Sequence, residues 1–203
     1  MSHTLVNKPF SQACENNKHA ISLTLKDYVE LGGSLLEVGS GTGQHGCHMS
    51  SVYPNLRWQT SDQADYLAGI NAWVCEANRD NFLAPVQLDI NTASWAGEPM
   101  DFVYASNVVH IISLAEVDKL FSFIPSALKS GGLFFLYGPF NYEGMFTSKS
   151  NAQFNDWLKA QAPHRAIRDF ETINALAQEN GLQLVNDHEM PANNRLLVWK
   201  KSP

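Results

Sequence analysis

Basic clusters are missing from this chain of 203 residues. The only adjacent pair of cations is Lys200–Lys201, and Asp and Glu outnumber Lys and Arg by 20 to 14, for a net charge of -6. Nucleic acids and anionic membranes are gripped by clustered Lys and Arg, so neither is expected as a partner. Cysteine is scarce too. Cys14, Cys47 and Cys75 are odd in number and form no C-x-x-C, which argues against a disulfide framework and for reduced thiols in the cytoplasm. No apolar run approaches the roughly 20 residues that cross a bilayer. The opening "MSHTLVNKPFSQACENNKHAI" has no apolar stretch of the kind a secretory leader carries. A G-x-S-x-G elbow for a nucleophilic serine is absent, and no cysteine has a sequence sign of an activating partner. His45, Cys47 and His48 stand close together, but no second cluster with ligand spacing accompanies them, so no metal is expected.

With 44% hydrophobic residues, the chain is long enough for one domain with a full core. Residues 1–17 are polar and are expected to be irregular. From 18 to 31, Ile21, Leu25, Tyr28 and Val29 fall on one helical face, ended by Gly32–Gly33. Strands are expected at "SLLEVG", at "RWQTSD" (57–62), at "APVQLDI" (84–90), at "MDFVYASN" (100–107) and at "GGLFFLYGPF" (131–140). Helices are expected at 43–53 and from about 64 to 78. A further one follows the S-x-x-E capping box of Ser113 and Glu116, with Pro125 as a kink or an early stop. Residues 141–150 read as loop and 151–161 as a short helix. Asp169 caps a helix through Asn180, and strands at 182–189 and 195–201 are joined by "MPANN".

Five alternations of strand and helix imply a mostly parallel sheet covered by helices on both faces. A five-residue link is too short for a parallel crossover, so the last strand must run antiparallel. The expectation is a Rossmann-like α/β fold in one domain: a lid or helix at 1–31, a cofactor-binding core at 32–140, and acceptor-side helices with a terminal hairpin at 141–203.

In open parallel sheets, ligands bind beyond the carboxyl ends of the strands. The first strand there feeds "LLEVGSGTGQHG", in which Gly39, Gly41 and Gly43 give G-x-G-x-G. Gly41, Gly43 and Gly46 also satisfy the dinucleotide fingerprint G-x-G-x-x-G. Glu37 opposes that reading, because a fixed carboxylate at the strand end would repel a pyrophosphate and suit a ligand with an ammonium group. Asp62 closes the second strand, where a carboxylate can accept hydrogen bonds from both ribose hydroxyls. Asp89 closes the third and could accept from an adenine amine, with Ile90 packing on the ring.

"LLEVGSGTG", "TSD" and "LDI" together resemble the class I S-adenosylmethionine-dependent methyltransferases, and the resemblance extends over nearly the whole chain. It implies a seven-stranded sheet with the last strand antiparallel and S-adenosylmethionine as cofactor. It further implies that Glu37, Gly39, Gly41 and Gly43 line the methionine and ribose part, Asp62 the ribose and Asp89 the adenine. A narrower likeness joins "ENNKHAI", "SGTGQH", "NVVHI", "YGPF", "SNAQFN", "IRD" and "MPANN". These resemble a methyltransferase-like family of unassigned substrate whose amino-terminal motif reads E-R-N-K-x-P-I. Asn16 stands here where that motif has arginine, Ala20 where it has proline, and Asn155 where an acid is usual. By that likeness, Asn17 and Lys18 belong to a lid that reaches the cofactor or the acceptor.

Methyl transfer is an in-line displacement, in which alignment and exclusion of water do most of the work. A base is needed only where the acceptor must lose a proton. Asn107 ends the fourth strand, at the border of cofactor and acceptor, and His110 follows three residues on. His110 could orient or deprotonate an acceptor, or simply pack the start of a helix. Tyr137 at the end of the fifth strand could contact the acceptor or finish the core. Asn193 and Asn194 of "MPANN" could hold an acceptor by amide hydrogen bonds, or serve only as turn residues. The expected activity is methylation of a small-molecule acceptor. A non-catalytic sensor or partner subunit that binds the same cofactor is the alternative, and a nicotinamide-dependent dehydrogenase a third.

Overall fold

Leu35, Leu36 and Val38 are buried on both faces of β1 (Gly33–Val38), as befits a strand inside a parallel sheet. The computed structural model describes residues 8–92 and 94–203. They fall into two compact units, the first ending at Asp89 and the second running from Ile90 to Pro203.

In the first unit, α1 (Gln12–Val29) precedes β1, then α2 (Gln44–Val52), β2 (Leu56–Asp62), α3 (Ala64–Ala77) and β3 (Phe82–Gln87) follow. β2 pairs parallel with β1 on one side and with β3 on the other, with Leu35 opposite Trp58 and Glu37 opposite Thr60. The helices bury Ile21, Leu25, Met49 and Ile70.

In the second unit, β4 (Met100–Ser106) leads through α4 (Leu114–Ala127) to β5 (Leu128–Gly138) and a short β6 (Phe140–Asn141). Then come α5 (Lys149–Gln161), a short β7 (Arg168–Asp169), α6 (Phe170–Glu179), β8 (Leu182–Met190) and β9 (Asn194–Lys201). β4 and β5 are parallel, while β9 runs antiparallel to both β5 and β8. Three strands in the order β3-β2-β1 and four in the order β4-β5-β9-β8 make up a mostly parallel seven-stranded sheet. The Rossmann-like α/β architecture expected from the alternation is therefore the one found. β6 and β7 form a separate parallel pair.

Local chemistry accounts for the element ends. Ser113 caps α4, with Glu116 returning its carboxylate to the Ser113 amide at 2.8 Å, so the capping box is complete. Pro125 lies in the last turn of α4. The Pro125 and Leu128 carbonyls accept from Lys201 Nζ at 2.7 and 2.8 Å, where a cation also suits a helix carboxyl end. Phe121 and Trp199 meet edge-on with ring centroids 5.9 Å apart, and Phe134 stacks on Trp199 at 5.7 Å.

The structure departs from the sequence reading in four places, one being that β5 spans Leu128–Gly138 rather than 131–140. α1 starts at Gln12, so 12–17 are helical rather than irregular. Its first turns carry no apolar stripe because they face polar partners: Gln44 Nε2 donates to Glu15 Oε1 at 2.8 Å, and Ser11 caps Cys14. β3 ends at Gln87, which leaves Asp89 and Ile90 in the turn beyond it rather than in the strand. The segment 141–150 is not all loop, since Asn141 belongs to β6 and α5 begins at Lys149. Residues 1–7 of the expected lid lie outside the described residues. Among the described residues, no helix is long and apolar enough to cross a membrane.

Gly46 is a packing residue. A Cβ there would come 2.5 Å from Phe82 and 2.9 Å from Trp58, so only glycine lets α2 lie this close to β2 and β3. Gly46→Ala should therefore lower stability by about 1–3 kcal/mol through overpacking. Urea unfolding should report it as a lower midpoint at unchanged slope.

Candidate functional site

The turn after β1 is built for a close approach. Gly39, Gly41 and Gly43 all take positive φ, of 72°, 57° and 87°. A Cβ on Gly43 would press on Ile70 at 3.2 Å, whereas a Cβ on Gly41 would meet nothing within 4 Å. Gly41 thus stands at the open side of the loop, where a ligand has room. The Gly41 amide donates to Asp62 Oδ2 at 2.7 Å, and the Gln63 amide donates to Asp62 Oδ1 at 2.7 Å. The glycine loop and the acid ending β2, which the sequence places at the carboxyl ends of successive strands, are in direct contact. Burial raises the Asp62 pKa, against the opposing pull of the Gly41 and Gln63 amides. Asp89 and Ile90 follow β3, the neighbour of β2, and are half-buried. Leu88 donates to the Asp62 carbonyl at 2.9 Å, which pins the start of that turn.

Glu37 is oriented otherwise than the charge argument assumed. Its side chain is 1% exposed, and its Oε2 accepts from the Trp58 indole N–H at 2.7 Å. Strand alternation puts Leu35, Glu37, Trp58 and Thr60 on one face, and the closeness of Gly46 to Trp58 makes it the face under α2. The expected fixed charge at the open side of the loop gives way to a buried acid. Burial first, and then the charge of Asp62, push it up to about 7, although its bonds to Trp58 and Ser40 pull the other way. His45 Nδ1 lies 4.0 Å from Glu37 Oε1. Burial pushes this imidazole down to about 4, so near neutrality the two groups are not a formed ion pair.

Asn17 and Lys18 sit in α1. Asn17 Oδ1 is 2.7 Å from His45 Nε2, and Lys18 pairs with Glu15 at 2.6 Å. Asn17 thus reaches the helix that follows the glycine loop through an imidazole. His48 Nε2 lies 3.2 Å from the Ser22 hydroxyl.

The second unit gathers most of the acceptor-side candidates around one loop. Asn107 has φ of 57°, and its amide donates to the Tyr137 carbonyl at 2.8 Å, which ties the end of β4 to that of β5. His110 is 4% exposed and meets Phe154 of α5 edge-on at 5.6 Å. A Cβ on Gly138 would stand 3.6 Å from His110 Nδ1 and 3.7 Å from Asn107 Oδ1, so backbone, imidazole and amide converge there. Burial, then Arg168, then Arg165 push His110 down to about 4, which leaves a neutral imidazole at physiological pH. Tyr137 is 2% exposed, within the core. Asn193 is exposed. Its carbonyl accepts from Asn151 of α5 at 3.1 Å, while Asn194 donates back to Pro191 at 3.1 Å and so closes its own turn.

Several residues had no role in the sequence reading and acquire one here. Arg168, noted only within "IRD", donates through Nε to Val109 and through Nη2 to Ile112 and His164, at 3.0, 2.6 and 2.9 Å. The His110 carbonyl accepts from Ala166 at 3.1 Å, so both sides of the His110 loop are tied to 164–168. Asn155 Oδ1 accepts from the Ile167 amide at 3.0 Å, a task an amide performs as well as an acid. Phe154 and Gly138 stood in the sequence only within "SNAQFN" and "YGPF", and Asn141 in no motif. Only the pairing of β6 with β7 and the seating of α5 bring them into play.

Comparison with known proteins bears on the family and the fold. The model of the family described as "Protein of unknown function (DUF938)" matches residues 8–201. An O-methyltransferase family protein from Burkholderia thailandensis superposes with TM-score 0.81 at 14% identity, covering 94% of this chain and 57% of that one. Human N-acetylserotonin methyltransferase, solved in complex with S-adenosylmethionine, gives 0.79 at 13% identity, covering 95% and 53%. An O-methyltransferase family 2 protein from Planctomyces limnophilus, solved with apigenin, gives 0.76 at 17% identity, covering 91% and 61%. The chain spans a little over half the length of these proteins, and the likeness is one of fold.

The Glu37 carboxyl makes a checkable difference to stability. Its pKa rises from an ordinary 4.5 to about 7 on folding, so it favours the folded state below 4.5 and loses that contribution as pH rises through 7. Relative to Glu37→Gln, the native chain should lose stability progressively between pH 4.5 and 7. Urea midpoints of the two proteins across that window should record the change.

Proposed function

The chain belongs to the DUF938 family, and from that premise we propose that it is an S-adenosylmethionine-dependent methyltransferase acting on a small-molecule acceptor. The observation that carries this reading is the Gly41–Asp62 contact at the carboxyl ends of β1 and β2, in a mostly parallel sheet finished by an antiparallel β9. Ligands of such sheets bind at that end.

The residues fit the cofactor. The open side of Gly41 leaves room for close approach, with Gly39 and Gly43 shaping the turn. Asp62 is held in place by two backbone amides, and each of its oxygens keeps a lone pair for a ribose hydroxyl. Asp89 and Ile90 supply an acceptor and an apolar surface for an adenine ring. Glu37 acts from beneath, holding Trp58 and so the packing of β1 on β2, rather than as a direct ligand. Asn17 and Lys18 act from α1, Asn17 by way of His45. When bound, the cofactor supplies an electrophilic methyl group. The rest of the task falls to side chains of the second unit: His110 receives or orients a proton, Asn107 borders the reacting group, Tyr137 closes the wall, and Asn193 and Asn194 contact the acceptor. The three thiols fit a reducing, cytoplasmic setting.

Calorimetry with S-adenosylhomocysteine tests the cofactor. Asp62→Ala removes a charged hydrogen-bond acceptor, an interaction of about 1.5–3 kcal/mol, so affinity should fall about 10- to 100-fold. Unchanged affinity in Asp62→Ala, or no binding by the native chain, would refute the reading. Asn193→Ala should keep cofactor affinity while slowing methyl transfer in a metabolite extract. Tight cofactor binding without any transfer would indicate a sensor instead.

A further inference from the structure

The second unit holds buried polar atoms that its own fold leaves without partners. His110 Nδ1 has none, and neither do Asn141 Oδ1 and Arg165 Nε, although His110 and Asn141 are only 4% and 8% exposed. Leaving such an atom without a partner is costly, and a ligand that supplies the missing partner is one recognised explanation. The three segments that carry the site are joined. β6, with Asn141, pairs with β7, where Arg168 reaches the carbonyls on both sides of His110. Asn107 Oδ1 faces the same point at Gly138 as His110 Nδ1 does.

The chemistry of these atoms is two-sided. An amide oxygen only accepts, an arginine Nε only donates, and Nδ1 of a neutral imidazole accepts when its proton sits on Nε2. The orphans therefore call for a group that both donates and accepts. The charges nearby add a further preference. Arg168 is 7% exposed and is held by three backbone carbonyls. Among the described residues, neither it nor Arg165 forms an ion pair with a carboxylate. Their positive charge is felt at His110 and helps to keep that ring neutral.

Three classes of acceptor can be compared. An ammonium compound would donate to His110 and Asn141, but it cannot accept from Arg165 Nε, and two guanidinium groups without counter-ions repel it. A carboxylate would be drawn to the guanidinium groups, but it has no proton to give to the imidazole nitrogen and the amide oxygen. An uncharged hydroxyl donates and accepts at once, and the negative charge that grows on its oxygen as the O–H bond polarises is stabilised by both arginines. Phenol-like acidity makes the most of that stabilisation.

We propose that this site takes its acceptor as an uncharged, phenol-like hydroxyl compound that donates to His110 Nδ1, and that Arg165 and Arg168 exclude ammonium compounds. The proposal rests on the methyltransferase reading and names the acceptor class for it. The probes are phenol and benzylammonium, titrated into the full chain near neutral pH. The readout is the Cε1–H signal of His110 in NMR spectra, assigned by its loss in His110→Gln. Phenol is expected to move that signal saturably and benzylammonium to leave it in place. In Arg165→Gln, benzylammonium should gain at least about 5-fold in its effect relative to phenol. Arg165 is chosen because, among the described residues, its Nε holds no hydrogen-bond partner, whereas Arg168→Met could lose the loop. The proposal is overturned if benzylammonium moves the signal as readily as phenol, if neither does, or if discrimination is unchanged in Arg165→Gln. Because no cofactor is present, these outcomes are separate from the calorimetric test with S-adenosylhomocysteine.

Discussion

The indole N–H of Trp58 and the carboxyl of Glu37 meet at 2.7 Å with almost no access to water, and the first unit is arranged around that contact. Trp58 comes from β2 and Glu37 from β1, so the bond ties the two strands through their side chains as well as their ladder. The face of Trp58 is also what Gly46 of α2 packs against. Two strands and a helix are thereby held in one register, and the turn between β1 and α2 is the glycine loop. Ser61 adds to this by donating to the Glu37 carbonyl at 2.6 Å. Removing either partner of the central bond would strand a buried polar group. The loop keeps its shape because the floor beneath it cannot relax cheaply.

This arrangement explains which parts of the site could be read from the chain. The strand, the turn and the helix announce themselves by apolar run, glycine spacing and Pro54. The pairing of Asp62 with the loop follows from both lying at carboxyl ends of adjacent parallel strands. The direction of Glu37 is different. Burial on both faces of β1 erases the alternation that would separate a core-facing acid from a ligand-facing one. Which face α2 covers depends on Gly46 and Trp58, 12 residues apart in the chain and in contact only after folding. The start of α1 was hidden for a related reason. Its first turns satisfy Gln44 and His45 rather than an apolar core, so they carry polar residues where a periodicity argument looks for apolar ones.

The second unit shows the same limit more sharply. "NVVH" marks the loop after β4, and "MPANN" marks the turn before β9, but α5 is what relates them. Its Phe154 meets His110, its Asn155 holds Ile167, and its Asn151 holds the Asn193 carbonyl. Such contacts depend on the facing of one helix, which a short amphipathic segment does not declare. Arg168 is the clearest instance. In sequence it is one basic residue ahead of a helix, for which a solvated position is the ordinary expectation. In the fold it is buried, and it binds carbonyls rather than a carboxylate.

That choice of partner has consequences for the chemistry. A buried arginine paired with a carboxylate contributes little field beyond the pair, because the two charges cancel at a distance. One held by backbone carbonyls keeps its net charge, since dipoles screen it only in part. The carbonyls of Val109 and Ile112 that hold Arg168 flank His110, so the residue that fixes the imidazole in place is also a source of the field around it. Position and protonation state are then not independent. Any rearrangement that frees the His110 loop from 164–168 also weakens the positive field at the ring and lets the imidazole become more basic. Burial is the larger cause of the neutral ring and the arginine field the second, and opening the loop would relax both.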